Sequence, residues 1–234
     1  MNLDLLRRTL EARRAGRAAA LVTHLKTGAQ ALVEEGRAEG PLALDAAATA
    51  AALRALREDK SRTEGDLFIE VWNPPLRCFI VGAVHIAQPL ARMAAELGYK
   101  VAVVDPRTAF ATDARFPEIE LSTEWPDEAL ARLKPDKRSA VITLTHDPKL
   151  DDPALIEALK SQAFYIGALG SRRTHASRLK RLSEAGFKDA DFARIHGPVG
   201  LNIGAISPAE IAVAILGQVT AVLHADRLKE REAA

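Results

Sequence analysis

The sequence predicts an α/β protein: a parallel sheet with helices on both faces, preceded by a small α+β domain. Three observations lead there. From Arg77 onward, short apolar runs alternate with helical patterns, the order that β-α-β units impose. The runs Cys78-Phe79-Ile80-Val81 and Val101-Ala102-Val103-Val104 are apolar at every position, which marks strands covered on both faces. Before Asn73-Pro74-Pro75 the rhythm differs, and two prolines stiffen the junction and remove donors. The expected division is residues 1–73 and 74–234.

In the first part, Leu3, Leu5, Leu6 and Leu10 alternate with Arg7, Arg8, Glu11 and Arg13 at helical spacing up to Gly16. Met1-Asn2-Leu3-Asp4 opens that pattern rather than a basic stub before an apolar core, so no signal peptide is expected. The runs 18–25 and 29–33 flank Lys26-Thr27-Gly28, a hairpin signal with glycine where a positive φ is needed. An alanine-rich helix from about Ala43 to Glu58 and a strand at Leu67–Trp72 complete this part.

In the second part, Gly82 ends the first strand, Ile86–Leu97 reads as a helix closed by Gly98, and the second strand ends at Asp105. Two more strands are expected at residues 140–144 and 164–167, followed by helices at Pro153–Lys160 and Arg172–Ala185. Ser207, Pro208 and Glu210 form the N-cap, first turn and capping box of the last expected helix.

Composition narrows the function. The chain has 234 residues, 48% hydrophobic and 27% charged, an ordinary globular balance. Thirty-two basic against 31 acidic side chains leave a net charge of +1, so no global field draws it to nucleic acid or anionic lipid. A single cysteine, Cys78, excludes an internal disulfide and a multi-cysteine metal site; within an apolar strand it reads as an inert small hydrophobe. The most apolar stretch, 211–225, is too short for a bilayer and contains Gln218 and His224. A cytoplasmic protein is expected.

In an open parallel sheet, ligands bind beyond the carboxyl ends of the strands. Five polar or glycine-rich loops fall there: Gly82-Ala83-Val84-His85, Asp105-Pro106-Arg107, Thr145-His146-Asp147, Gly167 to Arg173, and Gly197 to Gly204 with Asn202. Gly82-x-Val84-x-x-Ala87 is an altered dinucleotide fingerprint, with valine where a second glycine would let the backbone approach a pyrophosphate. Asp105 stands where a ribose-binding acid would stand; otherwise Gly82 and Ala87 serve only to pack a helix on the sheet. Gly170-Ser171-Arg172-Arg173 opens a helix, where free N–H groups, the helix dipole and two arginines suit a phosphate. The plainer alternative is a capping serine with solvated arginines on a basic helix that continues through Arg178, Lys180 and Arg181. His85 and His146, with Asp105 and Asp147, suit a metal or acid–base work, or else one histidine meets a ligand and the other caps a helix. His24, His175 and His224 are read as having no special role.

Taken together, the segments 79–91, 103–107, 145–147, 165–173 and 197–212 resemble the xanthine dehydrogenase accessory factor (XdhC/CoxI) family. That resemblance implies a small N-terminal domain and a Rossmann-like C-terminal domain. It further implies a chaperone that is not itself an enzyme. Such a protein holds the molybdenum cofactor, as Mo-molybdopterin or its cytosine dinucleotide form, while a cysteine desulfurase supplies its sulfido ligand. The cofactor then passes as cargo to an apo molybdenum hydroxylase. The family usually carries Gly-Ala-Gly-His where this chain has Gly82-Ala83-Val84-His85, and a cysteine-containing N-terminal segment that this chain lacks. The pocket is expected to be formed by Gly82, Ala83, His85, Asp105, Arg107, His146, Asp147, Gly170, Ser171, Arg172, Arg173 and Asn202, with a homodimer as the default assembly. Two other readings stand beside it: an NAD(P)-dependent oxidoreductase using the Gly82 loop and Asp105, and an adaptor that has lost its small ligand.

Overall fold

A computed structural model of the chain describes residues 3–232; Met1 and Asn2, where the N-terminal pattern begins, lie outside them. The chain divides into two compact units, Met1–Pro74 and Pro75–Ala234.

The first unit is an antiparallel sheet with two helices. Helix α1 (Leu3–Arg14) precedes strands β1 (Ala19–His24), β2 (Gln30–Glu34) and β3 (Arg37–Glu39); helix α2 (Ala46–Glu58) precedes β4 (Arg62–Glu64) and β5 (Leu67–Trp72). The sheet order is β3-β2-β1-β5-β4. Strand alternation sorts the two helices to opposite faces: Ala19 and Leu32 pack with Leu5 and Ala12 of α1, whereas Ala20, Val22, Val33 and Ile69 pack with Ala51, Ala52 and Ala55 of α2. Gly28 turns the β1–β2 hairpin at φ 71°. The short strands β3 and β4 have no signature in the sequence. Arg37-Ala38-Glu39 and Arg62-Thr63-Glu64 lack apolar alternation because they are the two sheet edges, where charge blocks further pairing.

The second unit is Rossmann-like, as expected. It runs β6 (Arg77–Val81), α3 (Ala87–Glu96), β7 (Lys100–Val104), β8 (Glu120–Ser122), α4 (Pro126–Leu133), β9 (Ser139–Thr143), α5 (Pro148–Lys160), β10 (Tyr165–Ala168), α6 (Arg172–Glu184), α7 (Asp189–Phe192), β11 (Ile195–His196), α8 (Pro208–Leu223) and α9 (Ala225–Glu232). All pairings are parallel, in the order β11-β10-β9-β6-β7-β8, so the strand order reverses between β6 and β9. Cys78, Ile80, Val103 and Ile142 face α3 and α8; Phe79, Val81, Val104, Val141 and Ile166 face α4, α5 and α6. Each strand feeds two cores, which is why no polar residue interrupts the central runs.

The structure corrects one boundary and adds elements that the sequence did not lead us to expect. Helix α5 begins at Pro148, not Pro153: Asp147 caps it, Pro148 takes the first position where its missing N–H costs nothing, and Pro153 is accommodated inside. Helix α8, capped by Ser207 and Glu210 as expected, is followed by α9 and is not the last. The segment 107–138, for which no element was expected, carries β8 and α4; β8 has one apolar residue, Leu121, and so no run to detect, while Pro126 followed by the acidic Asp127 and Glu128 is the pattern by which α4 could have been found. Among the described residues no helix is long and apolar enough to cross a membrane.

Ile142, in the central strand β9, is 0% exposed. Ile142→Ala is expected to cost about 2–5 kcal/mol in urea unfolding, because a cavity replaces packed methyl groups. A cost below about 1 kcal/mol would contradict the close packing of this layer.

Candidate functional site

The five loops follow the carboxyl ends of β6, β7, β9, β10 and β11 and are tied to one another. Gly82 follows β6 with φ 105°, and a Cβ there would collide with the Thr145 methyl beyond β9. Only glycine fits, on both backbone and steric grounds. The Gly82 N–H donates to Val104 O at 2.8 Å, which ties the loop to β7.

Asp105 closes the same corner. It is 0% exposed, and its Oδ2 accepts from the Ala83 N–H (2.7 Å) and from Arg107 Nη2 (2.7 Å), while Oδ1 accepts from Arg107 N (3.0 Å) and Nε (2.9 Å). A carboxylate has about four acceptor positions, and here four N–H donors fill them. Burial works to raise its pKa, but the Arg107 side chain, the Ala83 N–H and the Arg107 N–H together hold it below the ordinary value of 3.8. No acceptor position is left for a ribose hydroxyl. What faces outward is Arg107, its side chain 40% exposed and its guanidinium 4.5 Å from the Phe110 ring centroid. The hydrogen bond to Asp105 raises its pKa against a smaller opposing effect of burial, and the charges of Asp105, Asp147 and Asp151 add to the rise.

Beyond β9, His146 adopts φ 67°, unusual without glycine. Asp151 holds it there. This buried carboxylate accepts from Thr145 Oγ1 (2.6 Å) and Thr145 N (3.3 Å) on one oxygen, and from His146 N (3.2 Å) on the other. Burial pushes the Asp151 pKa up, against those hydrogen bonds and the nearby Arg178. Arg178 Nη2 lies 3.4 Å from the same carboxylate and donates to Leu169 O at 2.8 Å, joining the β9 and β10 loops. His146 and Asp147 are exposed, and the Asp147 carboxylate is spent on capping α5 through Lys149 N (2.9 Å).

Ser171 caps α6 by accepting from Thr174 N at 3.1 Å; Arg172 and Arg173 are exposed in its first turn, where helix N–H groups have no intrahelical acceptor. The last loop is held by Gln218 of α8, whose Oε1 accepts from Tyr165 OH (2.7 Å) and from Gly200 N (2.8 Å), and by Val199 N donating to Ala168 O (3.1 Å). Asn202 is exposed on it. His85 is exposed ahead of α3, whereas Val84 is partly buried against the core under that helix.

Of the residues proposed from the sequence, His85, Arg107, His146, Asp147, Ser171, Arg172, Arg173 and Asn202 are exposed along this edge; Gly170 is half-buried, and Gly82, Ala83 and Asp105 are buried beneath it. Sequence reasoning missed Asp151 and misread Arg178. Asp151 was obscured by starting its helix too late. Arg178, grouped with solvated arginines, is 1% exposed. Its spacing held the clue: Ser171, His175, Arg178 and Leu182 form one stripe of α6, and Leu182 is core. His175 also has more contact than expected, because its ring fills the place a side chain on Gly197 would take. Cys78 is buried, and burial pushes its thiol up to about 12, which suits an inert group. Among the described residues no three His, Cys, Asp or Glu side chains are grouped to hold a metal ion. In the first unit, a shallow cavity of about 190 Å³ is lined by Arg8, Arg17, Glu34 and Glu39, but these charges pair with one another.

A parallel sheet reversing between β6 and β9, with a glycine turn at that point and an acid just after β7, defines the class as a Rossmann-type domain. More particularly, the chain belongs to the XdhC Rossmann domain family, whose model matches residues 78–219. It is 34% identical over 155 residues to a probable xanthine dehydrogenase subunit of Bacillus subtilis (strain 168), an alignment covering 66% of this chain and 45% of that one. It is 33% identical over 154 residues to the molybdenum cofactor insertion chaperone PaoD of Escherichia coli (strain K12), covering 65% and 42%. A crystal structure described as a xanthine dehydrogenase from Bacillus halodurans superposes with TM-score 0.68 at 26% identity, over 95% of this chain and 64% of that one. The chain thus spans less than half the length of these two curated relatives.

Asp105→Asn is expected to destabilise the protein by about 1–3 kcal/mol in denaturant unfolding, since the amide presents a donor to N–H groups that need an acceptor. The folded pKa of Asp105 lies below 3.8. Its stabilisation is therefore complete above that value and is lost as pH falls through the folded pKa. The variant should show a shallower fall of stability in acid than the wild type; parallel pH profiles would contradict the assignment.

Proposed function

We propose that the protein binds the molybdenum cofactor, as Mo-molybdopterin or its cytosine dinucleotide form, and holds it as cargo during maturation of a molybdenum hydroxylase such as xanthine dehydrogenase. Maturation here means sulfuration of the cofactor and its insertion. The observation that carries this reading is the set of exposed cations Arg107, Arg172 and Arg173 on a rim whose loops are tied by buried carboxylates. Relatives named for xanthine dehydrogenase and for molybdenum cofactor insertion support it.

In this reading the cargo's phosphate sits on the Gly170–Arg173 turn, with Arg172 and Arg173 forking onto its oxygens. His85, His146 and Asn202 meet the pterin, and Arg107 adds charge from the β7 loop. Gly82, Ala83, Asp105 and Asp147 shape the loops. Contacts of this kind release the cargo reversibly when an apo hydroxylase docks, which a covalent link would not. The other partner is a cysteine desulfurase, and the protein works as a cytoplasmic homodimer. An oxidoreductase using NAD would need a ribose on Asp105, whose acceptor positions are already filled, and with either nicotinamide nucleotide Val84 stands where a glycine would let the backbone approach the pyrophosphate.

Purified protein mixed with molybdenum cofactor released from a molybdoenzyme is expected to co-elute with it in gel filtration. Retention no greater than that of an inert control protein would end the proposal. The double variant R172A/R173A should hold the cofactor at least about tenfold more weakly, with its melting temperature unchanged, because charge-assisted hydrogen bonds contribute about 1.5–3 kcal/mol each. Unchanged retention would remove the phosphate role. Nicotinamide nucleotides should leave the melting temperature where it is; a ligand at 100 times its Kd would instead stabilise by about 2.7 kcal/mol.

A further inference from the structure

Arg178 is 1% exposed, and among the fully buried side chains it is the largest. A guanidinium brings five N–H donors. Only Nη2 is engaged, at 2.8 Å from Leu169 O and 3.4 Å from Asp151 Oδ2, while Nε and Nη1 are buried without a hydrogen-bond partner. Asp151 is its buried counter-charge but meets only Nη2, at 3.4 Å, while its oxygens also accept from Thr145 Oγ1, Thr145 N and His146 N. Burial, opposed by Asp151 and Asp152, holds the Arg178 pKa below its ordinary value. A buried cation with open donors is a costly element to maintain unless something else completes it.

Its direction indicates what that is. Side chains on a helix lean toward the N-terminus, so Arg178 runs back along α6 toward the turn that starts it. Nη1 lies 3.8 Å from the point where a Cβ on Gly170 would stand, and that point is 3.1 Å from Thr174 Cβ. Gly170, at φ 146°, carries no side chain to separate the guanidinium from the turn. Arg172 and Arg173 stand exposed beside it, and no acidic residue occupies the first turn of α6.

We infer that Arg178 is the buried half of a phosphate-binding subsite at the start of α6, its Nη1 turned toward a phosphate monoester dianion that the first-turn N–H groups and Arg172 and Arg173 hold from outside. The ligand chemistry is that of a phosphoryl group with two negative charges, whatever molecule carries it. Identifying that molecule with the pterin cargo rests on the function proposed above; the subsite itself does not.

The test uses the full chain and inorganic phosphate, titrated by calorimetry and by thermal unfolding against chloride at matched ionic strength. Phosphate is expected to stabilise the wild type. Arg178→Met, close in length and without charge, should bind phosphate at least about tenfold more weakly. Without phosphate it is expected to melt lower than the wild type, because the buried Asp151 loses its cation and Leu169 O its donor, so affinity is compared by calorimetry at a temperature where both are folded. Arg178→Lys should retain part of the affinity. If Arg178→Met does not fold, the double variant D151N/R178M removes the charge pair whole while leaving an oxygen for the Thr145 hydroxyl. The inference is overturned if the wild type shows no phosphate response, or if the methionine variants bind phosphate within twofold of it. Arg178-dependent phosphate binding without cofactor retention would keep the subsite and remove the cargo reading. Cofactor retention without it would do the reverse.

Discussion

Where a parallel sheet ends, its loops leave backbone N–H groups with no strand to pair with, and each buried one needs an acceptor. Two carboxylates with no solvent path answer that need. Asp105 takes the Ala83 N–H of one loop and both main chain and side chain of Arg107 in the next. Asp151 takes the N–H groups of Thr145 and His146 and meets Arg178, which in turn grips Leu169 O. These two anions satisfy the buried N–H groups of the rim, while Val84, Leu169 and Val199 pack its loops against the core.

The consequence for chemistry is a division of labour by depth. The buried layer, Gly82, Ala83, Asp105, Asp151 and Arg178, sets the shape of the loops; the outer layer, His85, Arg107, His146, Arg172, Arg173 and Asn202, is exposed. Asp105 illustrates how one residue type changes role with its neighbours. In a dinucleotide-binding domain an acid at this strand end accepts from a ribose. Here Arg107, two residues on, closes a bidentate pair with it, and the group offered outward becomes a cation. Val84 matches that change, packing partly against the core where a glycine would leave room for a pyrophosphate.

Much of the fold was legible because burial on two faces writes itself into composition. Cys78–Val81 and Val101–Val104 could be read as strands without a neighbour in view, and Ser207, Pro208 and Glu210 marked a helix start by local hydrogen bonding alone. The short edge strands β3, β4, β8 and β11 were invisible for the opposite reason, since half-exposed residues carry little apolar pattern. On the site side, the loops were readable as a group because the strand ends could be counted. Asp151 and Arg178 were not, because a charged residue inside a helix looks the same in sequence whether it meets water or a buried partner.

By itself the sequence determined the alternation of strand and helix, the two cores, the glycine turn after β6 and the capped helix starts, all of which follow from periodicity and local hydrogen bonding. Only the tertiary structure decided which charges are free. Asp105 lost its lone pairs to Arg107 and Ala83, and Arg178 was drawn inside with donors to spare. The reason is that desolvation and pairing depend on what lies opposite in space, and residues 105 and 83, or 178 and 151, are neighbours only after the sheet has formed.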